Sequence, residues 1–254
     1  MIDPMSEKAE QPIRMAATVI IARDGAAQYE VLMLKRTNHA VFAGGMYVFP
    51  GGKVDSGDGH EKVASLSRGP TEDQLGQTAA VGDQWQHFWL AGIRETFEES
   101  GLLLAYDKKG DLIQFDESNE ARFGAHRQRV FDGEMTMVEL CELENLELAF
   151  DRIHFYNRLI TPPGRPRRFD THFFITSAPS EQQGLHDGLE TVDSLWISPV
   201  DALRLNAEGE FGMMGATQRQ LTELKDYTSV SDLLEMATTR SVFPTHAYAK
   251  IPTT

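Results

Sequence analysis

Apolar and polar positions divide this chain into strand-like and helix-like stretches. After a polar leader of about a dozen residues, Met15 to Gly25 (MAATVIIARDG) and Tyr29 to Arg36 (YEVLMLKR) are apolar, β-branched runs around a glycine-containing turn, which predicts a hairpin or two neighbouring strands. Met46 to Phe49 reads as a short strand, and the PGG and SGDG that follow mark a loop. From His60 to about Gln86 the chain turns polar without periodicity, an insertion at about 59–86. Between Gln86 and Gly101, Trp89, Ile93 and Phe97 recur four apart, an apolar stripe for a helix that Gly101 is placed to end. Leu102 to Ala105 (LLLA) predicts a resumed buried strand. Two helices are expected between Glu117 and Leu148, a helical elaboration lying outside the sheet. Strands return at Ile153–Pro162, Arg168–Ala178 and Glu190–Ser198, and the segment at about 199–240 reads as helices around Asp201–Leu205, Thr217–Tyr227 and Ser231–Arg240. This order predicts an α+β fold, a mixed sheet flanked by helices, with residues 1–254 forming a single domain.

Composition narrows the partners. The 254 residues carry a net charge of -14, against the basic patch that a nucleic-acid binder displays. An anionic substrate would need metal ions or a few arginines to offset repulsion. No apolar run approaches the roughly 18 residues of a membrane span, and the opening MIDPMSEKAEQPIRM lacks the apolar core of a secretory signal, so a cytoplasmic protein is expected. The one cysteine, Cys141, excludes an internal disulfide framework. A homodimer is left open.

The chemistry concentrates in RETFEESGL, Arg94 to Leu102. On a helix, Glu95, Glu98 and Glu99 stand at i, i+3 and i+4 and leave one face. Such a like-charge pair costs roughly 0.2–0.5 kcal/mol, and the negative helix end adds roughly 0.3–1 kcal/mol per charge. Arg94 offsets part of this by reaching Glu98 at i+4. A solvated acidic face is the plain reading of such a cluster. A hard divalent cation is the other: it takes oxygen ligands, shields phosphate charge and lowers the pKa of an attacking water.

Together, FPGGKVDSGD and RETFEESGL resemble the signature of the Nudix hydrolases: glycine, five residues, glutamate, seven residues, then REUxEExGU with U aliphatic. With Gly52 as the first glycine, Asp58 stands where the family has glutamate, and Thr96 stands at an aliphatic position. Residues 59–93 occupy the place of seven, so the box is split by a long insertion. A split box resembles the branch of the peroxisomal coenzyme A diphosphatases and their bacterial relatives, as does NRLITPPGRPRRFDTHFFIT, Asn157 to Thr176. The resemblance implies an α/β/α sandwich with a mixed sheet. It further implies Glu98 and Glu99 as ligands of Mg2+ or Mn2+, Glu95 as a further ligand or base, and the Gly52 carbonyl as part of the shell. Arg94 would hold the glutamates. Among late acidic residues Glu190 is the first candidate ligand and Asp187 the second.

The implied reaction is attack of an activated water on a diphosphate that links a nucleoside to another group. Coenzyme A or acyl-coenzyme A would yield 3',5'-ADP and (acyl-)phosphopantetheine. An ADP-ribose or dinucleotide diphosphatase is the alternative within this class. A non-catalytic Nudix-like binding module would be expected to lack one or more box glutamates, whereas the set of Glu95, Glu98 and Glu99 is intact; a carbon-skeleton isomerase on this fold would need a cysteine at the site, and only Cys141 is available. For phosphate contacts, Arg165, Arg167 and Arg168 and the pair Lys35 and Arg36 are candidates, although charges at strand ends are as readily solvated. Phe49 and Phe173 read as core rather than as a stacking surface for adenine.

Overall fold

The computed structural model describes residues 11–38, 43–180, 182 and 191–247. Its main sheet is built from β1 (Ile13–Asp24), β2 (Tyr29–Arg36), β3 (Tyr47–Val48), β4 (Gly51–Lys53), β8 (His154–Ile160), β9 (Arg168–Ser177), β10 (Thr191–Ile197) and β11 (Thr245–Ala247). The strand order is β10-β2-β1-β9-β8-β11, with β3 paired to β2 and β4 to β1. β1 and β2 form the expected antiparallel pair, whereas β1 runs parallel to β9 across ten paired positions, from Ile13 opposite Arg168 to Ala22 opposite Ser177. The sheet is therefore mixed.

β1 and β9 lie at its centre because their apolar stretches, Val19–Ile21 and Phe173–Ile175, are buried on both faces. Ala17, Val19 and Ile21 point to one layer, with Trp89, Ile93 and Phe97 of α2 (Trp85–Ser100). Ile20 and Ala22 point to the other, under α5 (Pro199–Ala207), α6 (Gly215–Leu224) and α7 (Val230–Thr239). The period of two in the strands thus yields two apolar cores, and the result is an α/β/α sandwich.

The polar stretch after His60 is not featureless. It forms 3-10 turns, β5 (Ser67–Arg68) and α1 (Leu75–Val81). The fully buried Gln74 and Gln77 of this stretch bond main-chain groups of the next sheet strand and its approach. Gln74 Nε2 donates to the carbonyls of Phe150 and Ile153, and Gln77 Oε1 accepts from the Phe155 N–H at 2.7 Å. Amide side chains supply here what a neighbouring strand would supply elsewhere.

Two expectations need correction. Leu102 to Leu104 are buried, but the strand there is only β6 (Ala105–Tyr106), because side chains take up the preceding backbone: Leu103 N–H donates to Gln182 Oε1. The segment from Glu117 does form α3 (Glu120–Phe131) and α4 (Met137–Glu144), but it ends in β7 (Glu147–Ala149), which pairs with β5 and β6 in a small second sheet. The two extra segments are therefore joined by strand pairing. Among the described residues no helix is long and apolar enough to cross a membrane.

Candidate active site

Helix α2 ends as the sequence requires. Gly101 takes a left-handed φ of 75° and its N–H bonds the carbonyl of Phe97, the C-terminal cap that glycine adopts without strain. The last turns present Glu95, Glu98 and Glu99 toward β4, which pairs with β1 through Gly51 opposite Thr18 and Gly52 opposite Ala17. A Cβ on Gly52 would lie 2.4 Å from the Glu95 carboxyl carbon, so only glycine lets that carboxylate rest against the loop.

Arg94 organises the cluster. Its Nε and Nη2 form a two-pronged bond to Asp58 (2.9 and 3.0 Å), Nη2 also donates to the Lys53 carbonyl at 2.7 Å, and Nη1 donates to Glu95 at 3.0 Å and Glu98 at 3.1 Å. All five guanidinium N–H groups are thereby used. Burial opposes its charge, but Asp58, Glu95 and Glu98 outweigh that and raise its pKa. Asp58, at the box position usually held by glutamate, is 1% exposed and also accepts the Asp55 N–H at 2.8 Å. It clamps Arg94 rather than facing open space. Glu99 accepts the Gly51 N–H at 2.9 Å and pairs with Arg36 Nη1 at 3.6 Å.

Arg94, Glu95, Glu98 and Glu99 line a cavity of about 720 Å³, together with Arg36, Arg167, Phe49, Phe173 and Phe131. The structure brings Arg94, Glu95, Glu98, Glu99, Gly52, Arg36 and Arg167 together. It does not bring Lys35 or Arg168. The Lys35 ammonium lies 5.4 Å over the Tyr47 ring, and Arg168 is buried, with Nε donating to the Thr161 carbonyl at 3.1 Å. In each adjacent basic pair one member is on the cavity side: Arg36 within β2, and Arg167 just before β9, in phase with Phe169, Thr171 and Phe173, which also line it. Arg165 is exposed and does not line the cavity. Phe49 and Phe173 are core residues that also form cavity wall. Cys141 is buried in the other core, its thiol pushed up to about 12 by burial, and does not line the cavity. Glu190 and Asp187 lie outside the described residues.

Among the described residues no three carboxylate, imidazole or thiol side chains form a ready-made metal cage. The donor set nevertheless fits a hard divalent cation. Glu95 and Glu98 converge on a single nitrogen of Arg94, and Asp55, Asp58 and Glu99 add to the negative side against Arg94, Arg36 and Lys53. Burial and crowding both show in protonation. Glu95 is pushed up to about 7, by burial first and by Glu98 and Asp58 in addition, against the opposing pull of Arg94; Glu98 is also raised, again chiefly by burial.

A carboxyl group raised in the folded state holds its proton more tightly than in the unfolded chain, so its contribution to stability is present at low pH and is lost as pH climbs past 4.5 and through about 7. The buried His154 and His172, lowered to about 4, act in the opposite direction, so the Glu95 effect is read as a difference from Glu95→Gln. In EDTA, thermal unfolding from about pH 5 to about pH 8 should show wild type losing stability relative to this variant, and manganese should reverse the loss in wild type. A wild type that gains on the variant as pH rises would contradict the charge imbalance.

The fold, the split box and the carboxylate-lined cavity define a Nudix protein. The family model of the NUDT19 Nudix domain matches residues 11–224, and the chain belongs to that family. It is similar to the acyl-coenzyme A diphosphatase NUDT19 of Xenopus laevis, with 23% identity over 250 residues, 87% of this chain and 66% of that protein. The Gallus gallus protein of that name is 26% identical, over 90% of this chain and 72% of that one, and the Homo sapiens protein is 24% identical, over 81% and 63%. The chain thus spans about two thirds of the length of these relatives. A crystal structure of a Nudix hydrolase from Alicyclobacillus acidocaldarius shares the fold, with a TM-score of 0.74, 24% identity, and coverage of 92% of this chain and 99% of that one.

Proposed function

We propose that this chain hydrolyses the diphosphate of coenzyme A or acyl-coenzyme A, releasing 3',5'-ADP and (acyl-)phosphopantetheine. The observation that carries the reading is that Glu95, Glu98 and Glu99, the three glutamates of RETFEESGL, all line one cavity beside the glycine loop. The names of the NUDT19 relatives supply the substrate class.

Glu98 and Glu99 would hold a magnesium or manganese ion, with the Gly52 carbonyl adding to the shell. Such an ion supplies charge neutralisation and a more acidic water. Glu95, with its raised pKa, suits the base that takes a proton from the attacking water near neutral pH. As the water oxygen bonds phosphorus, the bond from phosphorus to the bridging oxygen breaks, and the bridging oxygen leaves with the other phosphate. Arg36 and Arg167, both on the cavity wall, offer planar guanidinium groups to the non-bridging oxygens. Arg94 has no N–H left for a phosphate; its part is to hold Glu95 and Glu98 in place.

The test is a substrate panel of coenzyme A, acyl-coenzyme A, ADP-ribose and a dinucleoside polyphosphate, with magnesium or manganese and mass spectrometry of both products. Coenzyme A thioesters should be cut to 3',5'-ADP. A strong preference for ADP-ribose would remove the coenzyme A reading while leaving a diphosphatase, and no cleavage of any member would remove both.

A further inference from the structure

The cavity has two unlike ends. Its floor crosses β4, β1, β9 and β8, and Gly51, Thr18, Phe173 and Leu159 all line it. Three inter-strand steps make this floor about 14 Å long. It lies on the α6 side of the sheet, where the bridge between Tyr47 and Met213 brings the start of α6 over it and Met214 and Thr217 line it. An apolar floor of that length with hydroxyl groups along it matches a nucleoside on one side of a diphosphate.

The other end is set by the helical elaboration. Arg127 Nε donates to the Glu98 carbonyl at 2.9 Å, and its guanidinium lies against Gly101, where a Cβ would be 3.1 Å from Nη1. The cation thus sits at the C-terminal end of the helix that carries the glutamates. Phe131 is four residues further along α3, on the same face, half-buried, and lines the cavity; it is the one lining residue that the described part of 117–148 contributes. α2 packs on the sheet face opposite the floor and α3 packs on α2, so Phe131 reaches the cavity from the α2 side of the carboxylates.

We infer that Phe131 is the specificity-determining residue for the non-nucleoside half of the substrate and packs on the branched apolar carbon next to the diphosphate. This rests on the reading given under Proposed function. In coenzyme A that half begins with a pantoyl unit, whose quaternary carbon carries two methyl groups one carbon removed from the phosphate ester. In ADP-ribose the corresponding carbon belongs to a sugar ring: it carries the ring oxygen and no methyl group, and the next carbon carries a hydroxyl. An aromatic side chain beside the phosphate end separates the two by desolvation, since it gains from methyl groups and strands the oxygens of a sugar.

The experiment compares wild type, Phe131→Ala and Phe131→Leu for kcat/KM on coenzyme A and on ADP-ribose, with calorimetric binding of 4'-phosphopantetheine and of ADP in manganese. Phe131→Ala should lower the ratio of coenzyme A to ADP-ribose by about tenfold, the worth of two methyl groups taken out of water. The loss should appear in KM and in phosphopantetheine affinity, with ADP affinity within a factor of about two and Phe131→Leu recovering most of it. An unchanged ratio, or equal losses for both substrates and both fragments, overturns the inference and makes Phe131 a packing residue only. Wild-type enzyme that cleaves ADP-ribose and binds no phosphopantetheine overturns the coenzyme A reading, and the inference falls with it.

Discussion

Replacing Arg94 by leucine is expected to cost about 3–5 kcal/mol of stability, the largest effect of any single change at the site. Asp58 is 1% exposed, and two of its three hydrogen bonds come from Arg94. Leucine would strand that carboxylate in the interior and remove the cation that separates Glu95 from Glu98. The pair itself is not the source of the stability; the cost arises from leaving one partner behind. The double variant Arg94→Leu, Asp58→Leu should therefore recover a large part of the loss, although neither form would keep the glutamates in register for catalysis. Urea unfolding of the four forms measures the coupling. An Arg94→Leu protein within about 1 kcal/mol of wild type would mean that water reaches Asp58, and the clamp would lose its meaning.

That clamp shows where sequence reasoning reaches and where it stops. The helix carrying the glutamates was legible because three large apolar residues recur four apart and a glycine follows, signals that lie within one stretch of chain. The central strands were legible for the same local reason. The phase of the strands at the site was not: Lys35 and Arg36 are equivalent as a sequence, as are Arg167 and Arg168, and only the pairing of β2 and of the start of β9 with neighbouring strands decides which member meets the cavity. Asp58 could be located by its motif position, but its partner across 36 residues of sequence could not be known before the insertion was folded. Gln74, Gln77, Arg127 and Phe131 left no signal at all. A polar or aromatic residue in an aperiodic or surface-helix segment looks solvated until a backbone carbonyl or a cavity from elsewhere in the chain arrives beside it.

Glu98→Gln separates chemistry from structure. Glutamine has the shape of glutamate and an oxygen to accept the bond from Arg94 Nη1, so the Arg94 network is expected to survive. The substitution also removes one charge from a cluster in which burial first, and neighbouring carboxylates in addition, already raise Glu95 and Glu98, so stability without metal should be equal to or above that of wild type at pH above about 7. Activity should move the other way. If Glu98 holds a divalent ion against the phosphate, losing its charge removes several kcal/mol of transition-state stabilisation, and each 1.4 kcal/mol is tenfold in rate, so kcat should fall by roughly two to three orders of magnitude. Manganese should correspondingly raise the melting temperature of wild type and leave that of the variant nearly unchanged. A protein that gains stability where it loses turnover has its acidic cluster for function. Turnover equal to wild type would remove Glu98 from the reaction and return the acidic face to the solvent.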